Sequence, residues 1–144
     1  MICAYKECPY LEESIKAIIT QTIKPKILIS TSTPNEYIQS LADKYGIEVK
    51  VNKDGGQIKD YNFAIRQCQT ALGMLAHQDD LLDKRYVERC LEEINCAKSA
   101  IIACTNYLEI HNDIVDAKPS VMVRIKRILI WPIQNRLLRS TVLG

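Results

Sequence analysis

The sequence lacks the features that define three broad classes of protein. It contains no uninterrupted apolar run of the ~18 residues that a membrane span needs, so these residues encode none. Its six cysteines form no C-x-x-C pair and Met1 begins no signal peptide, which favours reduced thiols in a cytoplasmic protein over a disulfide framework. Its aromatic residues do not interleave with its basic ones, so a nucleic acid is not expected as a partner.

Glycine-rich phosphate-binding motifs are missing as well. Neither G-x-x-x-x-G-K-[ST] nor G-x-G-x-x-G occurs, which argues against the P-loop and dinucleotide-binding classes. What is there is a chain of 144 residues with 47% apolar and 25% charged residues, the composition of an ordinary globular domain with one core. Composition therefore indicates a structural class but no function.

Acidic residues are absent from the last part of the chain. Residues 1–116 hold 13 basic and 17 acidic side chains, whereas residues 117–144 hold six basic and no acidic ones. Apolar and basic residues recur at helical spacing over 121–138, which predicts a basic amphipathic helix interrupted at Pro132. We expect residues 121–139 either to contact an anionic membrane surface peripherally or to pack as a buried core helix.

Strand and helix patterns alternate along the rest of the chain. Short apolar runs predict strands at 2–5, 26–30, 47–51, 72–76 and 100–105. Apolar residues three and four apart predict helices at 9–21, 34–45, 58–72 and after Asp83. This alternation predicts an α/β fold with a Rossmann-like, mainly parallel sheet and helices on both faces. Because such folds bind ligands at the carboxyl ends of their strands, four segments are expected at one edge: 5–7, 31–33, 52–56 and 77–80.

Several helix ends carry local signals. Pro9 suits the first position of the first helix, and Thr33 with Glu36 forms the pattern of a capping box for the second. Gly46 supplies the left-handed residue that ends the second helix, and Asp83 is expected to cap the fourth.

Two adjacent carboxylates, Asp79 and Asp80, follow an apolar strand in the sequence A-H-Q-D-D. They repel each other unless a cation or hydrogen-bond donors neutralise them, and hard oxygen ligands suit Mg²⁺ or Mn²⁺ bridging to a diphosphate. The alternative is that both carboxylates cap the next helix, where the helix dipole favours negative charge.

Four segments together resemble family 2 glycosyltransferases, which have the GT-A fold. The opening I-C-A-Y-K-E resembles the family's I-P-A-Y-N-E, with Cys3 and Lys6 in place of proline and asparagine, and the first helix closes on the habitual Q-T at Gln21. The segment D-Y-N-F-A at 60–64 resembles the family's D-W-N-F-A, and H-Q-D-D at 77–80 resembles a version of its metal-binding D-x-D motif.

The resemblance implies transfer of a sugar from a nucleotide-diphosphate donor to a glycan or lipid-linked acceptor, with inversion at the anomeric carbon. It implies that Mg²⁺ or Mn²⁺ is held by Asp79 and Asp80. His77 stands where the family has its first aspartate, so it is a further candidate ligand or a partner of one; an ordinary histidine at a strand end is the alternative. Tyr5 is implied to contact the base, within a set of candidate nucleotide-sugar-binding residues: Tyr5, Glu7, Thr31, Ser32, Gly56, Asn62, Gln78 and Asp79.

The resemblance also implies how the chain is organised. Residues 1–116 correspond to the nucleotide-sugar-binding core, and 117–144 to the start of an incomplete acceptor-side region whose catalytic base is expected beyond Gly144. The rival prediction is a truncated, non-catalytic nucleotide-sugar-binding or interaction fragment. A metal-dependent phosphotransfer enzyme would need an aspartate nucleophile after the first strand, where the sequence has none. We expect a cytoplasmic protein, peripheral at the inner face of the membrane if 121–139 contacts lipid.

Overall fold

The computed structural model describes residues 1–96 and, beyond them, 102, 103, 105, 107, 108, 110, 111, 114 and 115. The chain divides into two compact units, Met1–Ile101 and Ile102–Gly144. The predicted helix at 121–138 and the whole segment 117–144 lie outside the described residues, and the predicted boundary at 116 stays a prediction.

Unit Met1–Ile101 contains four parallel strands that alternate with four helices. The strands are β1 (Ile2–Ala4), β2 (Leu28–Thr31), β3 (Glu48–Val51) and β4 (Ala76–His77). The helices are α1 (Leu11–Ile19), α2 (Glu36–Tyr45), α3 (Gln57–Arg66) and α4 (Tyr86–Cys96). The strand order in the sheet is β3-β2-β1-β4, and every pairing is parallel. The predicted α/β fold with a Rossmann-like parallel sheet is confirmed.

The main core lies on the face of the sheet that α1 and α2 cover. Ile2 of β1 and Ile29 of β2 are partners in register and are fully buried, together with Leu11 and Ile15 of α1 and Ile38 of α2. All four residues of β2 are buried because this strand has neighbours on both sides and helices above it. The spacing of apolar residues on α1 and α2 therefore determines which sheet face becomes the core.

The opposite sheet face, on which Cys3 lies, is covered by α3, which contacts β1 and β2. Alternate residues of a strand point to opposite faces, so Cys3 and its register partner Ser30 share this side. Ala64 is the only residue of α3 that is buried. This side is therefore packed less tightly than the α1–α2 side, and it leaves room for a cleft.

Of the four predicted helix ends, that at Gly46 is confirmed, because Gly46 ends α2 in the left-handed conformation with φ of 62°. The Asp83 carboxylate accepts the Arg85 N–H at 2.9 Å and so caps the turn before α4, three residues ahead of the first helical residue, Tyr86. The cap of α2 is Asn35, whose Oδ1 accepts the Ile38 N–H at 2.9 Å, rather than Thr33. Pro9 lies in a turn two residues before α1, because the Leu11 N–H closes on the Cys8 carbonyl at 3.1 Å and the helix begins there.

The chain between α3 and β4 differs from the prediction. Helix α3 ends at Arg66 rather than at residue 72, and tight turns follow in which the Thr70 hydroxyl donates to the Leu72 carbonyl at 2.8 Å. A threonine that bonds the local backbone competes with helix continuation. Strand β4 covers Ala76–His77 instead of 72–76. The first residue of β1, Ile2, pairs with Ala76, so residues 72–75 have no β1 residue opposite them in the sheet.

Unit Ile102–Gly144 contains one described antiparallel pair, β5 (Ile110–His111) with β6 (Ile114–Val115), which the sequence did not predict. Of the strand predicted at 100–105, Ile102, Ala103 and Thr105 lie outside any strand, and the other three residues are not described. Among the residues that the structure describes, no helix is long and apolar enough to cross a membrane.

Candidate functional site

A cleft of about 450 Å³ opens at the carboxyl ends of β1 and β4, beside the start of α3. Ten residues line it. Four were predicted to bind the nucleotide sugar, His77 was predicted as a possible metal ligand, and the other five were not predicted as site residues. The lining residues are Cys3, Ala4, Tyr5, Gly56, Gln57, Asp60, Tyr61, His77, Gln78 and Asp79. The structure thus brings Tyr5, Gly56, Gln78 and Asp79 to one edge, as strand ends of a parallel sheet require.

Gln78 joins the end of β4 to the end of β1. The Tyr5 N–H donates to Gln78 Oε1 at 2.8 Å, and Gln78 Nε2 donates to the Tyr5 carbonyl at 3.1 Å. The side-chain amide therefore extends the bonding between the two strands to Tyr5, two residues beyond Cys3 in the last β1–β4 backbone pair. Both polar atoms of Gln78 are used in fixing Tyr5, whose ring is 52% exposed at the cleft.

The next residue of the chain, Lys6, has a left-handed backbone with φ of 53°, and its N–H donates to Thr33 Oγ1 at 2.5 Å. This bond links the end of β1 to the loop after β2. Tyr5 is thus held from both sides, by Gln78 and by the Lys6–Thr33 contact.

The carboxylates at the strand end are separated by the local geometry. Asp79 lines the cleft, whereas Asp80 is exposed and is not part of its lining. The alternative that both residues cap the next helix is wrong, because α4 begins at Tyr86 and the turn before it is capped by Asp83. Asp79 therefore remains available to a ligand of the cleft.

His77 and Tyr61 form a pair across the cleft, between β4 and α3. The Tyr61 hydroxyl lies 3.3 Å from His77 Nδ1, and the ring centroids are 5.4 Å apart in an edge-to-face arrangement. Gln57 Nε2 donates to the same hydroxyl at 3.1 Å. The Ser14 hydroxyl, buried on α1, donates to the His77 carbonyl at 3.0 Å and fixes the backbone beneath the ring.

Asp60 is a cleft residue that the sequence prediction missed. Its Oδ2 accepts the Ser32 hydroxyl at 2.7 Å and its Oδ1 accepts Asn52 Nδ2 at 2.7 Å, so it joins α3 to the ends of β2 and β3. Helical spacing could have located it, because Gln57, Asp60 and Tyr61 lie three and four residues apart on one face of α3.

The hydroxyl residues at the end of β2 serve the fold more directly than the cleft. Thr31 is 1% exposed and its Oγ1 accepts the Thr33 N–H at 3.0 Å, while Ser32 donates to Asp60. Neither Thr31 nor Ser32 is part of the cleft lining, and Ser30 Oγ is buried without a hydrogen-bond partner among the described residues. The structure thus places Thr31 and Ser32 behind Asp60 rather than in the cleft.

Two further predicted residues lie elsewhere. Asn62 lines a separate hollow of about 200 Å³. The other lining residues come from the loop before α3, including Asp54, and from α3 itself, including Lys59. Two residues along a helix correspond to a rotation of about 200°, so Asn62 faces away from the cleft that Asp60 faces. Glu7 is exposed and outside the cleft lining.

The electrostatics of the cleft are dominated by Asp60 and Asp79. Burial raises the pKa of the Cys3 thiol, the amino terminus partly offsets this effect, and the Asp60 carboxylate adds to it. Cys3 is therefore a neutral thiol in the unliganded cleft. Within the described part of the chain, no three His, Cys, Asp or Glu side chains come together as a complete metal site. The Asp79 carboxylate in the cleft lining is an oxygen donor of the kind that a hard cation takes when its other ligands come from a bound phosphate group and water.

Comparison with known proteins agrees with this geometry. The family model described as Glycosyl transferase family 2 matches residues 1–142, nearly the full length of the chain. None of the curated proteins matches the sequence. The strand-end cleft, the parallel sheet and the family match together show that the chain belongs to glycosyl transferase family 2.

Proposed function

We propose that the cleft binds a nucleotide-diphosphate sugar and that the protein transfers the sugar to a glycan or lipid-linked acceptor with inversion. The observation that carries this proposal is that Tyr5, Gly56 and Asp79 share one cleft in a chain of glycosyl transferase family 2. An aromatic ring, an accessible backbone and a carboxylate are three chemically different contacts. They match the base, the diphosphate and the cation of such a donor.

Each of these residues has a distinct role in the proposal. The half-exposed Tyr5 ring offers a flat face on which a nucleobase stacks. Gly56 has φ of 100° at the start of α3, where the helix N-terminus favours an anionic diphosphate. Asp79 would hold Mg²⁺ or Mn²⁺ in the cleft, and Asp80 would join it as a further ligand only by turning from its exposed position outside the lining. Such a cation, when bound, neutralises the charge that develops on the leaving diphosphate.

The second candidate function is binding of a nucleotide sugar without transfer. An inverting transfer needs a base to deprotonate the acceptor. Among the described residues that line the cleft, the carboxylates are those of Asp60 and Asp79, and both oxygens of Asp60 already accept hydrogen bonds from Ser32 and Asn52. A product assay with donor and acceptor separates the two functions, because only the enzyme releases a nucleoside diphosphate in proportion to the acceptor glycosylated.

The binding part of the proposal is tested by calorimetry. UDP and GDP are titrated into the protein with Mn²⁺, then with a chelator, and then into Asp79→Asn with Mn²⁺. We expect one of the two nucleotides to bind, and the chelator and Asp79→Asn each to weaken it at least about tenfold, or ~1.4 kcal/mol. The control is Asp43→Asn, which removes an exposed carboxylate on α2 that lies outside the cleft lining, and its affinity should equal that of the parent protein. Equal affinity with and without the cation would refute the metal role.

A further inference from the structure

The Tyr61 hydroxyl lies between two polar atoms in the cleft, Gln57 Nε2 at 3.1 Å and His77 Nδ1 at 3.3 Å. All three residues line the cleft beside Asp79. A phenol has one proton to donate, and its oxygen can accept. Because Gln57 Nε2 can only donate, the Tyr61 oxygen accepts from it, and the phenol proton remains for a different partner.

His77 Nδ1 lies 3.3 Å from the Tyr61 oxygen, and which of the two atoms donates depends on the tautomer of His77. Because Gln57 already donates to that oxygen, donation of the phenol proton to Nδ1 is the arrangement that avoids a second donor on the same oxygen. A neutral imidazole carries one proton, so a ring that accepts at Nδ1 carries its proton at Nε2. The buried Ser14 hydroxyl holds the His77 carbonyl and so fixes the backbone, and the exposed ring contacts Tyr61 edge to face. The hydrogen bonds around Tyr61 therefore favour the Nε2–H tautomer of His77.

We propose that Gln57 and Tyr61 are positioning residues that fix His77 as an N–H donor, through Nε2, to an anionic oxygen of the ligand. This inference rests on the proposed function, in which that oxygen belongs to the diphosphate of the donor. It assigns His77 a different role from that of a metal ligand. A ring bound to a cation through Nε2 would need its lone pair there and would carry the proton at Nδ1.

The tautomer can be measured without any ligand. The chain has two histidines, so a protein labelled with ¹⁵N in its imidazole rings gives two ring systems by NMR, and His77→Asn identifies the one that belongs to His77. At alkaline pH we expect His77 to be in the Nε2–H form, and Tyr61→Phe to return it to the mixture that the ring shows in the urea-unfolded chain. A native ring with the proton at Nδ1, or a ratio that Tyr61→Phe leaves unchanged, would overturn the proposal.

Ligand binding tests the donor role separately. Loss of one hydrogen bond weakens UDP or GDP binding by about 3- to 10-fold, so this loss is expected for His77→Asn and, through the freed ring, for Tyr61→Phe. The double variant should bind no more weakly than His77→Asn alone, because Tyr61 acts only through His77. Tyr10→Phe, at an exposed position outside the cleft, is the matched control.

The outcomes distinguish this inference from the proposed function. If Tyr61→Phe changes the tautomer ratio of His77, the positioning by Tyr61 is supported. If the same protein binds neither UDP nor GDP, the proposed function is refuted while the positioning stands. Additive losses in the double variant would overturn the action of Tyr61 through His77 even if nucleotide binds. Conversion of the ring to Nδ1–H on addition of Mg²⁺ and nucleotide would show that His77 is a ligand, contrary to the proposal.

Discussion

Lys6 adopts a left-handed backbone conformation directly after β1, with φ of 53°. For an L-residue other than glycine this region costs roughly 1–2 kcal/mol, and asparagine tolerates it better than lysine does. The side chain recovers part of this cost, because its ammonium lies 5.2 Å from the centre of the Tyr5 ring. Asparagine, the residue of the family's motif at this place, suits the backbone, whereas lysine suits the neighbouring ring.

The cost of the Lys6 backbone can be measured with two substitutions. Lys6→Ala removes the cation–π contact and keeps the strain, whereas Lys6→Asn removes the same contact and relieves the strain. We expect the asparagine variant to be more stable than the alanine variant by about 1 kcal/mol in urea unfolding, because only the asparagine accommodates the left-handed backbone. Equal unfolding free energies for the two variants would show that the backbone at residue 6 is not strained.

At the scale of elements, Gln21, which follows α1, connects α1 to the start of α4. Its side chain is fully buried, with Nε2 donating to the carbonyls of Ala17 at 3.1 Å and Asp83 at 2.7 Å. Its Oε1 accepts the Val87 N–H at 3.0 Å, so one amide satisfies a carbonyl of the turn before α4 and an N–H of its first turn. No residue of α4 is fully buried, so these hydrogen bonds add to the half-buried apolar side chains of the helix, such as Val87 and Leu91, in holding it against α1.

Gln21→Met tests this attachment with a side chain of similar length and no polar atoms. The Asp83 carbonyl and the Val87 N–H would lose their partners, and we expect a loss of roughly 2–4 kcal/mol in unfolding free energy. In Gln21→Met the backbone amides of α4 should also exchange with solvent faster than in the parent protein, and this increase should be larger than that of the amides of α1. Gln39→Met is the control, because Gln39 is exposed on α2 and its Nε2 bonds only the side chain of Asp43. A loss no larger than that of the control would contradict the role of Gln21.

At the scale of the whole molecule, one carboxylate links the two helices that cover the core. Glu12 of α1 accepts hydrogen bonds from Lys44 at 2.9 Å and Tyr45 at 2.7 Å, both on α2, and forms an ion pair with Lys16 at 3.0 Å. These contacts lower the pKa of Glu12 from an ordinary value of 4.5 to about 2, and the hydrogen bond from Lys44 contributes most to the change. Lys44 and Lys16 respond in the opposite direction, because the pKa of each is raised by Glu12.

The lowered pKa of Glu12 makes stability depend on acidity in a defined window. The folded protein gains stability from the ionised carboxylate above about pH 4.5, and loses that gain as the pH falls toward about 2. We expect the urea midpoint of the parent protein to fall across this window more steeply than that of Glu12→Gln. The exposed neighbour Glu13 gives the control, and Glu13→Gln should retain the parent's slope. Parallel curves for the parent and Glu12→Gln would refute the link.

The order and type of the elements in the first unit were predictable from sequence, because apolar spacing and glycine positions act locally. The alternation of patterns predicted the parallel sheet, and Gly46 predicted the end of α2. The strand-end rule then predicted the shared edge of Tyr5 and Asp79. These are consequences of periodicity and backbone geometry, which a sequence shows directly.

The roles of individual side chains were less predictable, because they depend on contacts between distant residues. Gln78 uses its amide on the backbone of Tyr5, 73 residues away, and no local pattern indicates this. Asn35 caps α2, whereas Thr33 Oγ1 accepts the N–H of Lys6, 27 residues away, which no local pattern indicates. The face of α3 that meets the sheet decided that Asp60 enters the cleft and Asn62 does not.

The strand order β3-β2-β1-β4 also has a consequence for synthesis on the ribosome. Residues 1–51 contain three adjacent strands and both core-covering helices, so most of the buried surface can assemble while the later residues are still being translated. The fourth strand joins the opposite side of β1 only when Ala76 reaches Ile2. His77 and Asp79 arrive with that strand, which means that the cleft is completed after the core that supports it.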